Sequence, residues 1–280
     1  MLLKMDGQDY EVSSELYAEF DYGTDIKPTN PNNVVSLFAF KDLPISPKAD
    51  CDGDLDLVRR KADEYPNNIE IEHSKSTLLG LVGLQIWRGA LLLADWLIYN
   101  GKSIPDGYVL ELGSGVGLTS IVAGIYKPVI CTDINIGGLL KLIEGNVARN
   151  NSMLNHPVKV AELDFTKDLS DEIVEVLPKV KLIIAADVVY DDRLTDAFVQ
   201  TVEKLLSKVT DKNLCVLVAL EKRFVFTMAD CETCAPCYEY FKDRLLEMKN
   251  VKLELLPTDF PQYFNYDRVK ELVLWKISAQ

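Results

Sequence analysis

Histidine is scarce along these 280 residues, and positive charge is in deficit. There are two histidines, and 30 Lys and Arg stand against 43 Asp and Glu, a net charge of −13. A free nucleic-acid partner is disfavoured, because phosphate contacts need a basic footprint. The balance suits a cationic partner such as a lysine-rich protein segment, although the charge also serves simple solubility. No apolar run reaches 18 residues, so no membrane span is expected. The opening "MLLKMDGQDYEVSSELYAEF" lacks the basic region, apolar run and small-residue site of a secretory signal. The six cysteines (51, 131, 215, 231, 234, 237) do not form a secreted disulfide framework, and a reducing nuclear or cytoplasmic location is expected. Neither histidine shows a pairing with a nucleophile, and no Ser-His-Asp arrangement is visible, so hydrolase chemistry has no support. Internal repeats and low-complexity segments are absent as well.

Residues 1–68 differ from the rest. Pro, Asn and Asp clusters ("KPTNPNN", "SPKADCDGDLD") separate short apolar runs such as "VVSLFAF". An N-terminal extension is expected there, loosely structured or with a few strands. With 48% hydrophobic residues, the chain can bury a sizeable core in the domain that follows, 69–280. "IEIEH" (69–73) alternates like a half-buried strand, and 83–101 carries apolar residues at helical spacing with Gly101 as its stop. Apolar β-runs then alternate with helical stretches: "YVLEL" (108–112), "VICTD" (129–133), "VKVAEL" (158–163), "KLIIAADVVY" (181–190) and "LCVLVALE" (214–221). A helix over about 233–249, "VKLELL" and "ELVLWKI" close the chain. This pattern predicts an α/β fold with a mostly parallel sheet covered on both faces.

The ligand of such a sheet lies at the strands' carboxyl ends. There "YVLELGSGVGLTS" runs from strand through glycines 113, 115 and 117 into a helix. No G-K-[ST] follows, which excludes a P-loop. A dinucleotide fingerprint wants its third glycine at 118, where this chain has Leu. Asp133 ends the second strand, 20 residues after Gly113, and could accept both ribose hydroxyls. Glu111 would repel phosphates but suits a cofactor with an ammonium and a sulfonium. Together they read as an S-adenosylmethionine site. A glycine turn that merely packs strand on helix is the competing reading.

"IWRGA" (86–90), "ELGSGVGL" (111–118), "TDI" (132–134) and "DVVY" (187–190) resemble the seven-strand S-adenosylmethionine-dependent methyltransferases, and within them the protein-lysine subgroup called methyltransferase-like family 16. The resemblance covers about 69–280. It implies a Rossmann-like fold, a sheet with one antiparallel strand, and methyl transfer from S-adenosylmethionine to a lysine of a protein substrate. That substrate would be basic, and either nucleic-acid-associated or a chaperone. No direct nucleic-acid or membrane partner is expected, and the chain is taken as a monomer. By residue, it implies Trp87 as a cofactor contact from the helix before the first strand. Gly113, Ser114, Gly115 and Gly117 would form the turn around the methionine end, and Asp133 would be the ribose partner. Asp164 and Phe165 stand where the family often has a Trp on the adenine; Phe165 keeps the apolar face and loses the indole donor. Ala186 would line the methionine pocket, and Asp187 and Tyr190 would receive the target amine.

Three readings compete with that role: a cofactor-holding adaptor, a methyltransferase of small molecules or nucleic acid on the same core, and a nicotinamide dehydrogenase. Trp87 has core packing as its alternative, and Asp187 has capping of the turn after its strand. "CETCAPC" (231–237) has the spacing of a zinc knot, but only three cysteines and no nearby histidine, so no metal is expected.

Overall fold

The computed structural model describes residues 11–40, 67–209, 211, 213–227 and 232–280. In chain order the first elements are β1 (Glu11–Val12), α1 (Leu16–Glu19), β2 (Val34–Phe40), β3 (Asn67–His73) and β4 (Thr77–Leu78). Then come α2 (Arg88–Asn100), β5 (Tyr108–Leu112), α3 (Leu118–Gly124), β6 (Val129–Asp133), α4 (Leu139–Arg149), β7 (Val158–Glu162), α5 (Asp171–Val176) and β8 (Val180–Ala186). The last are α6 (Asp192–Lys208), β9 (Cys215–Glu221), β10 (Val225–Thr227), β11 (Glu232–Cys234), α7 (Pro236–Glu247), β12 (Val251–Leu256) and β13 (Leu272–Ala279).

Seven strands form one sheet in the order β12-β13-β9-β8-β5-β6-β7. β5, β6, β7, β8 and β9 pair in parallel, while β13 is antiparallel to both β9 and β12. The chain winds outward from β5 through β6 to β7, then returns to β8 on the other side. That reversal opens a crevice at the carboxyl ends of β5 and β8.

Strand alternation divides the core. Val109, Leu182, Ile184, Leu217 and Ala219 point toward α2, α3 and α4, where Leu91, Ile121 and Ile143 meet them. Leu110, Ile183, Ala185, Val216 and Val218 point the other way, onto Ile173 of α5, Phe198 of α6 and Phe241 of α7. The period of two produces both faces from each strand.

The described stretch 11–40 holds β1, α1 and β2. β2 pairs with β3 as an antiparallel ribbon, and β1 pairs with β4. Leu16, Tyr22, Phe38 and Phe40 join the same core as Leu91 and Leu97 of α2. On the open edge of β3, Asn150 Oδ1 accepts from Glu70 N at 2.9 Å and Asn146 Oδ1 from Glu72 N at 2.8 Å. Glu72 in turn accepts from Thr29 N, Asn30 N, Asn33 and Arg149, and these hydrogen bonds outweigh its burial and hold its carboxyl down at about 2.

Two expectations need correction here. The helix drawn over 83–101 begins only at Arg88, because residues 85–87 are extended and 79–84 form a short 3-10 stretch. The segment 79–103 is apolar enough by composition to cross a membrane. It is nonetheless a broken core element, with Arg88 and Asp95 both ion-paired and Leu91, Leu92, Leu93 and Leu97 buried. The second correction concerns His73. Its Nε2 lies 2.7 Å from Ser36 Oγ, both buried, and its Nδ1 meets the Ser74 carbonyl at 3.0 Å. A carbonyl stands where a triad would have a carboxylate, and burial holds the ring's pKa down near 4, so the pair is structural.

Candidate active site

At the end of β5, Gly113 has φ +67 and lies close under Val188; an added Cβ there would meet Val188 Cγ1 at 2.7 Å. This close approach lets the turn fold over the sheet edge. Ser114 N donates to Thr132 O at 3.0 Å and Gly117 N to Ser114 O at 2.9 Å, so the turn is anchored to β6 before α3 starts at Leu118. Gly113, Ser114 and Gly115 line a cavity with Trp87, Asp133, Asp164, Phe165, Ala186, Asp187 and Tyr190. Ten of the twelve residues expected at the site therefore surround one space.

Glu111 and Gly117 do not line it. Alternation places Glu111 on the face toward α3, where it is 1% exposed and accepts a hydrogen bond from Ser120 Oγ. Its Oε1 has no partner, and burial raises its pKa to about 8. Gly117 has φ +87 and faces α4, where a Cβ would sit 3.0 Å from Ile143 Cγ2. Trp87 does line the cavity, but from the extended residue preceding α2, not from the helix. Its Nε1 donates to Val82 O at 3.0 Å, and the Arg223 guanidinium stacks 4.6 Å from its ring centroid.

Asp133 is 9% exposed at the end of β6. Gly115 N and Ile134 N each donate to its carboxylate at 2.7 Å, leaving each oxygen free to accept once more. Burial outweighs those bonds and pushes its pKa up to about 6. Asp164 accepts from Thr166 N and Oγ1, and the hydroxyl bond holds its carboxyl below the ordinary range. Phe165 packs edge-on against Phe198 at 5.4 Å.

Asp187 has φ +50, a left-handed conformation that is costly for a residue other than glycine. Its Oδ2 accepts from Gly89 N at 2.6 Å and its Oδ1 from Glu221 N at 3.0 Å. The helix α2 has no side-chain cap of its own at Trp87, so the carboxylate caps it from the end of β8. Capping is thus real, but of a helix distant in sequence; the next helix, α6, is capped by Asp191, which accepts from Leu194 N. Burial raises the pKa of Asp187, opposed first by the charge of Arg223. Tyr190 stands between the cavity and an outer groove along α6 that also contains Asp191 and Arg193, and burial lifts its phenol to about 12.

Sequence reasoning missed the stretch 80–86 and the apolar pair Ile134 and Ile136, all of which line the cavity. The signal for the isoleucines was present: two apolar residues between Asp133 and the pair Gly137-Gly138. In the cysteine cluster, Cys234 ends a strand and Cys237 lies in the first turn of α7, while Cys231 is outside the described residues. Among the described residues, no three His, Cys, Asp or Glu side chains gather as a metal site.

The chemistry of the cavity is that of an S-adenosylmethionine pocket: a glycine turn, a strand-end carboxylate, apolar walls and, among the described residues, no cationic side chain for phosphates. Ser114 lines the cavity too, but its hydroxyl oxygen is buried beneath that surface, beside Cys131. A family model described as lysine methyltransferase matches residues 66–232. Methyltransferase-like protein 22 of Mus musculus is 34% identical over 84% of this chain and 74% of its own length. The Homo sapiens protein of that name is 34% identical over 80% of this chain and 61% of its length. Protein-lysine N-methyltransferase EEF2KMT of Mus musculus is 31% identical over 50% of this chain and 45% of its length. The solved glycopeptide N-methyltransferase MtfA complexed with S-adenosylmethionine covers 69% of this chain and 94% of its own at 12% identity and a TM-score of 0.47. The chain belongs to the lysine methyltransferase family, whose activity is S-adenosylmethionine-dependent methylation of protein lysine.

Proposed function

We propose that Asp187 and Tyr190 form the amine side of the site, and that the substrate is a basic protein presenting its lysine there. The observation carrying this is the placement of both residues at the β8 end of the wall that also holds Asp133 and the glycine turn. Ser114, Gly115 and Ala186 would hold the methionine end, Asp133 the ribose, and Phe165 with Ile134 the adenine. The cofactor supplies an electrophilic methyl group on a sulfonium. The attacking lysine must be neutral, a form that is on the order of one in 10³ at pH 7 for an ordinary lysine. Asp187 has lone pairs left beyond its two backbone bonds and can orient the amine as its proton leaves to water; Tyr190 adds a hydroxyl. A net charge of −13 supports a cationic partner, and four free cysteines among the described residues support a nuclear or cytoplasmic setting. A monomer is part of the same proposal.

The test is incubation with methyl-labelled S-adenosylmethionine and cell extract, followed by identification of the labelled residue. Label on a protein lysine is expected, with loss of about 10² in rate for Asp187→Asn and less for Tyr190→Phe, cofactor affinity staying within a few-fold. Label in RNA or small molecules would overturn the substrate, and full turnover by Asp187→Asn would reduce that residue to a helix cap.

A further inference from the structure

The cavity wall at Gln85–Trp87, and Arg88 next to it, are gripped from behind by the N-terminal segment. Gln85 exchanges hydrogen bonds with Ser14 N and Val12 O, both at 2.9 Å. Ile86 N donates to the Tyr17 hydroxyl at 2.9 Å. Arg88 is paired with Glu19, and also with Glu221 at 2.6 Å. The three side chains are only 11%, 12% and 11% exposed (Arg88, Glu19 and Glu221), so this is an ionic triad shielded from water. Arg223, stacked on Trp87, is paired with Glu15 at 2.9 Å and also reaches Glu221 at 4.0 Å.

The triad coincides with the cradle of Asp187. One amide donating to that carboxylate belongs to Gly89, next to Arg88, and the other belongs to Glu221 itself. The Arg88–Glu221 pair therefore staples together the two backbone segments that hold Asp187. Two carboxylates share the one guanidinium, and Glu19 is the partner that comes from outside the methyltransferase fold.

We propose that Glu19 is a positioning residue for methyl transfer, acting through Arg88 and Glu221 on Asp187, so that the N-terminal segment completes the amine side of the site. This rests on Asp187 having the role given above. Without the charge of Glu19, Arg88 is free to swing toward Glu221 alone. The start of α2 then shifts against β9, and the carboxylate between them loses its alignment. Misplacement at this scale is felt in turnover while the cofactor contacts at Asp133 and the glycine turn are untouched.

The experiment compares Glu19→Gln, Arg88→Met, the double variant and Asp187→Asn. For each, the initial rate of tritium transfer from labelled S-adenosylmethionine into extract protein is measured, less the extract's own rate, beside calorimetric cofactor affinity and urea unfolding. If Arg88→Met does not fold, Arg88→Lys replaces it. Glu19→Gln is expected to slow transfer about tenfold with cofactor affinity within twofold, and the double variant to be no slower than the Arg88 variant alone, since both act through one contact. A wild-type rate in Glu19→Gln, additive losses, or a loss confined to stability would overturn the inference. If Asp187→Asn is crippled and Glu19→Gln is not, only this inference fails. If Asp187→Asn turns over normally, the role of Asp187 fails as well.

Discussion

Replacing Gly89 with Ala adds one methyl group at the most crowded point of the site. The new Cβ would lie 2.5 Å from Asp187 Oδ2, 2.8 Å from its Cγ and 3.0 Å from the Ala219 carbonyl. The backbone carbonyl cannot retreat, so the carboxylate must. Its 2.6 Å bond from Gly89 N is then lost or bent, about 1.5–3 kcal/mol for a hydrogen bond to a charged group. Overpacking adds about 1–3 kcal/mol, and the better helix propensity of alanine returns up to about 1 kcal/mol. The net expectation is a loss of about 1.5–6 kcal/mol of stability together with at least about a tenfold fall in methyl transfer. Gly145 gives the control, because it is an exposed residue inside α4 with nothing within 4 Å of an added Cβ. Gly145→Ala should therefore stabilise by up to about 1 kcal/mol and leave transfer unchanged. Urea unfolding and the label-transfer assay measure both. A Gly89→Ala protein as stable and as active as the parent would refute the view that Asp187 is held rigidly against α2.

Further outcomes follow from the two buried carboxylates. Asp133 has its pKa raised to about 6, so below that pH it takes up a proton and loses acceptor strength. Cofactor affinity should then fall as pH drops below about 6, at most tenfold per unit, and Asp133→Asn should flatten this profile in calorimetric titrations from pH 5 to 8. Glu111, raised to about 8, binds its proton more tightly when folded than when unfolded, so its contribution to stability declines as pH rises from about 4.5 to about 8. Glu111→Gln should gain stability relative to the parent across that window and level off above it, which unfolding curves at pH 5, 7 and 9 would reveal.

Much of the central sheet was legible from its apolar runs: "YVLEL" and "VICTD", buried on both faces, and the edge strand "VKLELL" coincide with β5, β6 and β12 residue for residue. The cavity was legible where chemistry and strand ends coincide, as at Asp133, Asp187, Gly113 and Gly115. At Glu111 the motif alone does not show which way the side chain faces; strand alternation turns it toward α3 and Ser120. The start of α2 was misread because the apolar spacing of 83–101 continues through residues that are extended, and no capping side chain marks Arg88; the cap comes from Asp187, 98 positions away. Distance along the chain also hid the N-terminal docking. Glu19 meets Arg88 across 69 positions, and Glu15 meets Arg223 across 208. In sequence each is one acidic residue among 43, with nothing local to separate it from a solvated surface charge. Burial makes the difference, because an ion pair shielded from water costs several kcal/mol to leave half-made, whereas an exposed one is worth almost nothing. Glu19 and Arg88 are therefore bound to each other's presence in a way that Glu15, half exposed, is not. Loss of Glu15 should be tolerated where loss of Glu19 is not.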